Sequence, residues 1–184
     1  MDKQLTLYTF GYLATSAERT FAELIQIRTP IVDIRYKPTS RHYQYNLEML
    51  ERRDGILYYW IEDLGNEHYK QALTGRHNEP RIKLHNAPWG LLQLKAILDT
   101  HSRAALLCAC VSPTTCHRRM VAELAAQQLG CRVIHLGARG ANTSPVMQAA
   151  LFDDKQLLQD GLHPDQHAIE QELFQHYSYE RTQR

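Results

Sequence analysis

The stretch Arg103-Ala-Ala-Leu-Leu-Cys108-Ala-Cys110-Val-Ser-Pro113-Thr-Thr-Cys116-His117-Arg118-Arg119 decides how this chain is read. Ala104 to Cys110 is short, apolar and unbroken, as a strand covered on both faces must be, and Ser112-Pro113 ends it. Thr114 or Thr115 can cap the helix that follows. Met120, Val121, Leu124, Ala125 and Leu129 recur there at helical spacing, up to a C-terminal stop at Gly130. Cys116, His117 and Arg118 thus fall in a first helical turn.

A helix start gathers unpaired N–H groups and the positive end of the peptide dipoles, so a phosphate, carboxylate or thiolate is stabilised there. Arg118 adds a planar cationic fork. Cys116 becomes a candidate nucleophile or redox-sensitive thiol, because such surroundings lower a thiol pKa from about 8.5 toward neutrality. Phosphatase- and rhodanese-type loops are excluded, because they close on an Arg: the positions five beyond Cys110 and Cys116 are Thr115 and Val121. The competing reading is burial without reactivity, cysteine being a common core residue.

Working outward, strands alternate with helices. Leu5–Tyr12 is a strand, and Thr15-Ser16-Ala17-Glu18 opens an amphipathic helix to about Arg28 with a capping-box pattern. Pro30–Arg35 is a second strand, Asn46 caps a short helix to Arg53, and Ile56–Ile61 is a third strand after Asp54-Gly55. The polar segment His68–His85 has the size of an active-site cover or insertion. A helix from about Pro88 to Thr100, the strand and helix quoted above, and a fifth strand Cys131–Leu136 complete the pattern. The expected fold is α/β: an open, mostly parallel five-stranded sheet with helices on both faces. Residues 1–140 form this core. Residues 141–184 are expected to be a C-terminal helical extension, with helices at Ser144–Gln159 and Pro164–Tyr177, packed on the core or used in dimer contact.

With 184 residues, the chain suits one buried domain with a modest appendage. Lys and Arg total 21 against 20 Asp and Glu, so no global field attracts nucleic acid or an anionic membrane. A local basic patch could still come from Arg41, Arg52, Arg53, Arg76 and Arg81, although scattered solvated arginines are the plainer reading. No apolar run has membrane-spanning length and the N-terminus lacks a signal-peptide pattern, so the expected location is the cytoplasm, with reduced thiols. Cys108 and Cys110 are expected on opposite faces of their strand, which argues against a disulfide framework. Paired C-x2-C knuckles are absent, so no metal site is assigned among Cys108, Cys110, Cys116, Cys131, His117 and His135. No cofactor or oligomeric state is identified.

In an open parallel sheet all strands end at one edge, and their loops form a crevice there. Gly11-Tyr12, Asp33 and Arg35, Asp63–Asn66, Cys108 with Cys110, and His135 share that placement. Asp33 and Arg35, two apart, project to one side, as a functional pair or as a structural ion pair. Tyr36, Tyr43, Tyr58, Tyr59 and Trp60 could stack on a base or sugar, or pack the core.

These residues carry a resemblance. Thr9-Phe10-Gly11-Tyr12, Val32-Asp33-Ile34-Arg35 with Pro38 and Ser40, Tyr59 through Leu64-Gly65, Leu107-Cys108-Ala109-Cys110, Cys116-His117-Arg118 and Val133-Ile134-His135 together resemble the family catalogued as domain of unknown function 488. This chain has Tyr12 and Cys110 where that family commonly has His and Glu. The resemblance implies a cytoplasmic α/β protein with a polar pocket and names no activity.

The leading expectation is a small enzyme acting on a phosphate-bearing or otherwise anionic substrate, such as a nucleotide or nucleobase, in the crevice. Asp33, Cys116 and His117 are the candidate catalytic residues, with Asp33 orienting a cation or acting as base. Gly11, Tyr12, Arg35, Ser40, Cys108, Cys110 and Arg118 are the candidate substrate-binding residues. The alternatives are a non-catalytic nucleotide or nucleic-acid binding module and a thiol redox sensor.

Overall fold

A computed structural model describes residues 4–70 and 82–136 of the chain. Five parallel strands make one sheet: β1 Thr6–Gly11, β2 Ile31–Asp33, β3 Tyr58–Trp60, β4 Arg103–Cys108 and β5 Arg132–His135, in the order β3-β2-β4-β1-β5. The helices are α1 Ala17–Gln26, α2 Leu47–Glu51, α3 Ala87–His101 and α4 His117–Leu129. The expected open parallel sheet with helices on both faces is the fold found. The helical extension and the domain boundary at residue 140 lie outside the described residues.

Two apolar layers sandwich the sheet, and strand alternation assigns each residue to one of them. Ile31, Ala105, Leu107, Tyr8 and Phe10 face α1 and α2, meeting Phe21, Leu24 and Leu50. Val32, Ile34, Ala104, Leu106 and Leu7 face α3 and α4, meeting Leu94, Leu98, Val121, Ala122 and Ala125. The direction of travel explains the split. From β1 the chain moves one way along the sheet to β2 and β3, then returns to β4 and β5, and a right-handed crossover must change face when it reverses direction.

Strand β4 is paired on both sides and covered on both faces, which is why its sequence is apolar without alternation. Its helix, however, starts later than the threonines suggest. Ser112 Oγ and Thr114 Oγ1 are 2.8 Å apart and Thr114 N donates back to Ser112 Oγ, so these hydroxyls close a local turn. Cys116 is the N-cap instead, its sulfur accepting from Arg118 N. At the other end Gly130 takes the left-handed conformation, φ 67°, as its position after Leu129 requires. The Thr15 capping box and the Asn46 cap also differ, α1 having Ser16 rather than Thr15 at its N-cap. Ser16 makes no side-chain cap bond, and Asn46 Oδ1 accepts from Ser40 N in the preceding loop.

Leu106, fully buried in the central strand, should be among the costliest residues to truncate. Leu106→Ala is expected to destabilise the fold by about 2–5 kcal/mol, measured by urea unfolding of the purified protein.

Candidate functional site at the carboxyl edge of the sheet

Strand β4 lies between β2 and β1, whose chains leave toward the α1/α2 face, while its own chain leaves toward α4. Loops therefore diverge on both sides of β4 at its carboxyl end, the arrangement that opens ligand crevices in α/β sheets. The sequence-derived candidates gather at this edge in two groups, one on each face.

The first group is built on Asp33 and Arg35. The Asp33 carboxylate is fully buried and accepts from Arg35 N at 3.0 Å, from Arg35 Nε at 2.9 Å to Oδ1 and 3.0 Å to Oδ2, and from Arg35 Nη2. Tyr58 Oη adds a bond of 2.8 Å to Asp33 Oδ2. Arg35 Nη2 also donates to the Tyr45 carbonyl at 2.7 Å, and the guanidinium carbon lies 5.3 Å from the centre of the Tyr12 ring. Tyr12 in turn stacks on Tyr45, their centroids 4.5 Å apart, and Trp60 Nε1 donates to the Arg35 carbonyl. Burial works against the Arg35 charge, yet the Asp33 hydrogen bonds and field hold its pKa above the ordinary value. The Tyr58 hydroxyl is pushed up by burial and by the facing Asp33 charge. One Arg35 nitrogen, Nη1, is buried without a hydrogen-bond partner.

The second group is built on Cys108. Its sulfur lies 3.1 Å from Cys116 Sγ, 3.9 Å from Cys110 Sγ and 3.8 Å from His117 Nδ1, and Cys116 Sγ is 3.8 Å from the same nitrogen. Cys108 and Cys110 therefore share a side, correcting the expectation of opposite faces: an even step along an extended chain preserves the side. All four cysteines are free thiols. Sulfur hydrogen bonding with Cys110 and Cys116 holds the Cys108 thiol well below its ordinary range against the cost of burial, and contacts within the same cluster push Cys116 up. His117 Nε2 lies 2.8 Å from the Ile34 carbonyl, so it carries the proton and Nδ1 turns a lone pair toward the sulfurs. Burial lowers the His117 pKa, which favours the neutral ring.

Arg118 is fully buried, and it serves the backbone. Nη1 donates to the Cys110 carbonyl and Nη2 to the Val111 carbonyl at 3.1 Å, pinning the loop between β4 and α4. Gly11 makes room for it, since a Cβ there would collide with both the Cys110 carbonyl and the guanidinium.

The bond from His117 to Ile34 joins the two groups across the edge. Asp33, Arg35 and Tyr12 thus meet on the α1/α2 side, and Cys108, Cys110, Cys116, His117 and Arg118 on the α4 side. Ser40 joins neither group: its N–H donates to Asn46 and its hydroxyl accepts from His42 N, bracing its own loop. His135 bonds Thr9 Oγ1 through Nδ1 at 2.7 Å, and burial followed by the Arg118 charge lowers its pKa. Arg53 lies over the Phe21 ring and pairs with Glu18, whereas Arg76 and Arg81 lie outside the described residues. Tyr45 and the Tyr58–Asp33 bond escaped the sequence reading. Tyr58 pairs with Ile31, two residues before Asp33, so only the strand register reveals their shared face.

Replacing Asp33 by Asn leaves Arg35 buried opposite a neutral amide. The variant is expected to lose about 3–5 kcal/mol in urea unfolding, as when one member of a buried pair is removed. His135 has its own signature. Its folded pKa is lowered, so its contribution to stability is complete above the ordinary imidazole range and is lost as pH falls below about 6.5. Unfolding midpoints should drop as pH is reduced through that window, and less so in His135→Gln.

No curated protein and no solved structure matches the chain. The family model "Domain of unknown function DUF488" matches residues 18–125, more than half of the sequence, from α1 through most of α4. The match includes Asp33, Arg35 and the whole Cys-His-Arg corner, and on that extent the chain belongs to the DUF488 family.

Proposed function

We propose that the protein is an enzyme acting on a phosphate-bearing or otherwise anionic small molecule, a nucleotide or nucleobase derivative being the class expected, at the carboxyl edge of the sheet. Arg35 carries the reading. It is a buried cation held by Asp33, the Tyr45 carbonyl and the Tyr12 ring, with Nη1 left without a protein acceptor. A buried donor left unmade costs about 1–3 kcal/mol, which an incoming oxygen anion would offset. Half-buried Tyr12 offers a ring edge or face to the rest of the ligand. In this reading Asp33 orients Arg35, since both its oxygens already take donors, and the Cys-His group across the edge supplies the reacting centre.

A second reading, a thiol redox sensor, is favoured by the contact between Cys108 and Cys116. Either activity suits the cytoplasm, where thiols stay reduced. Among the described residues no helix is long and apolar enough to cross a membrane.

Trp60, bonded to the Arg35 carbonyl, provides a fluorescence reporter for the test. Titration with inorganic phosphate and with nucleoside monophosphates is expected to give a saturable change. Arg35→Lys, which keeps the charge but loses the fork, should weaken binding by about tenfold or more. Absence of any saturable response would remove the anion site, and binding without turnover would leave a binding module in place of an enzyme.

A further inference from the structure

We propose that Cys108, Cys110, Cys116 and His117 Nδ1 form a tetrahedral binding site for one zinc ion. The Cys108, Cys110 and Cys116 sulfurs all lie within 4.8 Å of one another. Zinc with Zn–S of about 2.3 Å and Zn–N of about 2.0 Å sets ligand-to-ligand edges of roughly 3.5–3.8 Å. Four of the six edges in the structure are 3.9 Å for Cys108–Cys110, 3.1 Å for Cys108–Cys116, and 3.8 Å from His117 Nδ1 to each of Cys108 and Cys116. The three sulfurs form the compact part of the set, and His117 Nδ1 adjoins it at Cys108 and Cys116, so closing the fourth corner requires Cys110 or His117 to turn inward.

Two further observations point to the ion. The first is the tautomer of His117: Nε2 is committed to the Ile34 carbonyl, so the Nδ1 lone pair faces the sulfurs. A ring N–H held by a backbone carbonyl is the usual support for a metal-bound histidine, and a disulfide would make no use of that lone pair or of the third sulfur. The second is charge. Three thiolates on a divalent ion leave one net negative charge, and the buried Arg118 guanidinium beside it has only carbonyl partners, with no carboxylate at ion-pair distance among the described residues. Arg118 N also donates to Cys116 Sγ at 3.5 Å, an N–H bond suited to a metal-bound thiolate. A buried cation with an anionic centre alongside is a satisfied pair; alone it is costly.

Soft sulfur and one imidazole select a thiophilic ion, and a four-donor tetrahedron suits zinc, whose filled d shell imposes no other geometry. The ion would lock the loop between β4 and α4 to the strand end. This site lies on the α4 side of the edge and stands apart from the anion reading at Arg35, although it would replace a free thiol with a metal-bound one at the proposed reacting centre.

Full-length protein purified without chelator should carry about one zinc per chain by elemental analysis. Cobalt(II) added after zinc removal should give the intense visible bands of a tetrahedral site and a thiolate charge-transfer band in the near ultraviolet. Cys110→Ser, at the most exposed of the three sulfurs, should weaken cobalt binding by about tenfold or more, and Cys131→Ser should leave it unchanged. If Cys110→Ser is insoluble, metal content and cobalt spectra of the unaltered protein decide alone. Metal-free protein with a weak octahedral cobalt spectrum, or a Cys108–Cys116 disulfide found by mass spectrometry in freshly purified metal-free protein, would overturn the proposal. The phosphate response of Trp60 is read separately, so loss of one site does not imply loss of the other.

Discussion

Everything at the carboxyl edge follows from the covering of β4. A strand hydrogen-bonded on both sides and packed on both faces is buried from Ala104 through Cys108, so chemistry delivered by it must begin where the pairing stops. Cys108 is that last residue, paired with Gly11 at the end of β1. The flanking strands send their chains to the opposite face, and the loop beyond Cys108 folds back on its own side to bring Cys110, Cys116 and His117 around one sulfur.

The edge divides charge in an orderly way. On the α1/α2 side Asp33 and Arg35 neutralise each other within one strand end, with Tyr58 supplying an extra donor to the carboxylate. On the α4 side Arg118 stands against backbone carbonyls and sulfur. Hydrogen bonds offset part of the cost of burying each charge, and the two arrangements are tied through the His117 imidazole at the Ile34 carbonyl.

The sheet was readable because parallel strands covered on both faces leave continuous apolar runs, and Gly130 marked a helix end by its conformational need. The pairing of Asp33 with Arg35 followed from their spacing. Side was harder to read than position. Which face a strand end presents depends on the order of strands, and that order, β3-β2-β4-β1-β5, leaves no trace in hydrophobic pattern. The sulfur cluster was hidden for a similar reason: spacing of one, then five, intervening residues resembles no paired knuckle, yet a strand end folding back onto a helix start brings the three together. Tyr45 offered no signal, since its carbonyl rather than its ring meets Arg35.

The bare backbone at Gly11 answers to two distant points of the chain at once. A guanidinium at 118 needs a bare backbone at 11, and so does the Cys110 carbonyl, which a Cβ there would strike. A descendant that shortens residue 118 would therefore still find position 11 closed to any side chain, so the requirement for glycine outlasts the arginine that fills the space beside it.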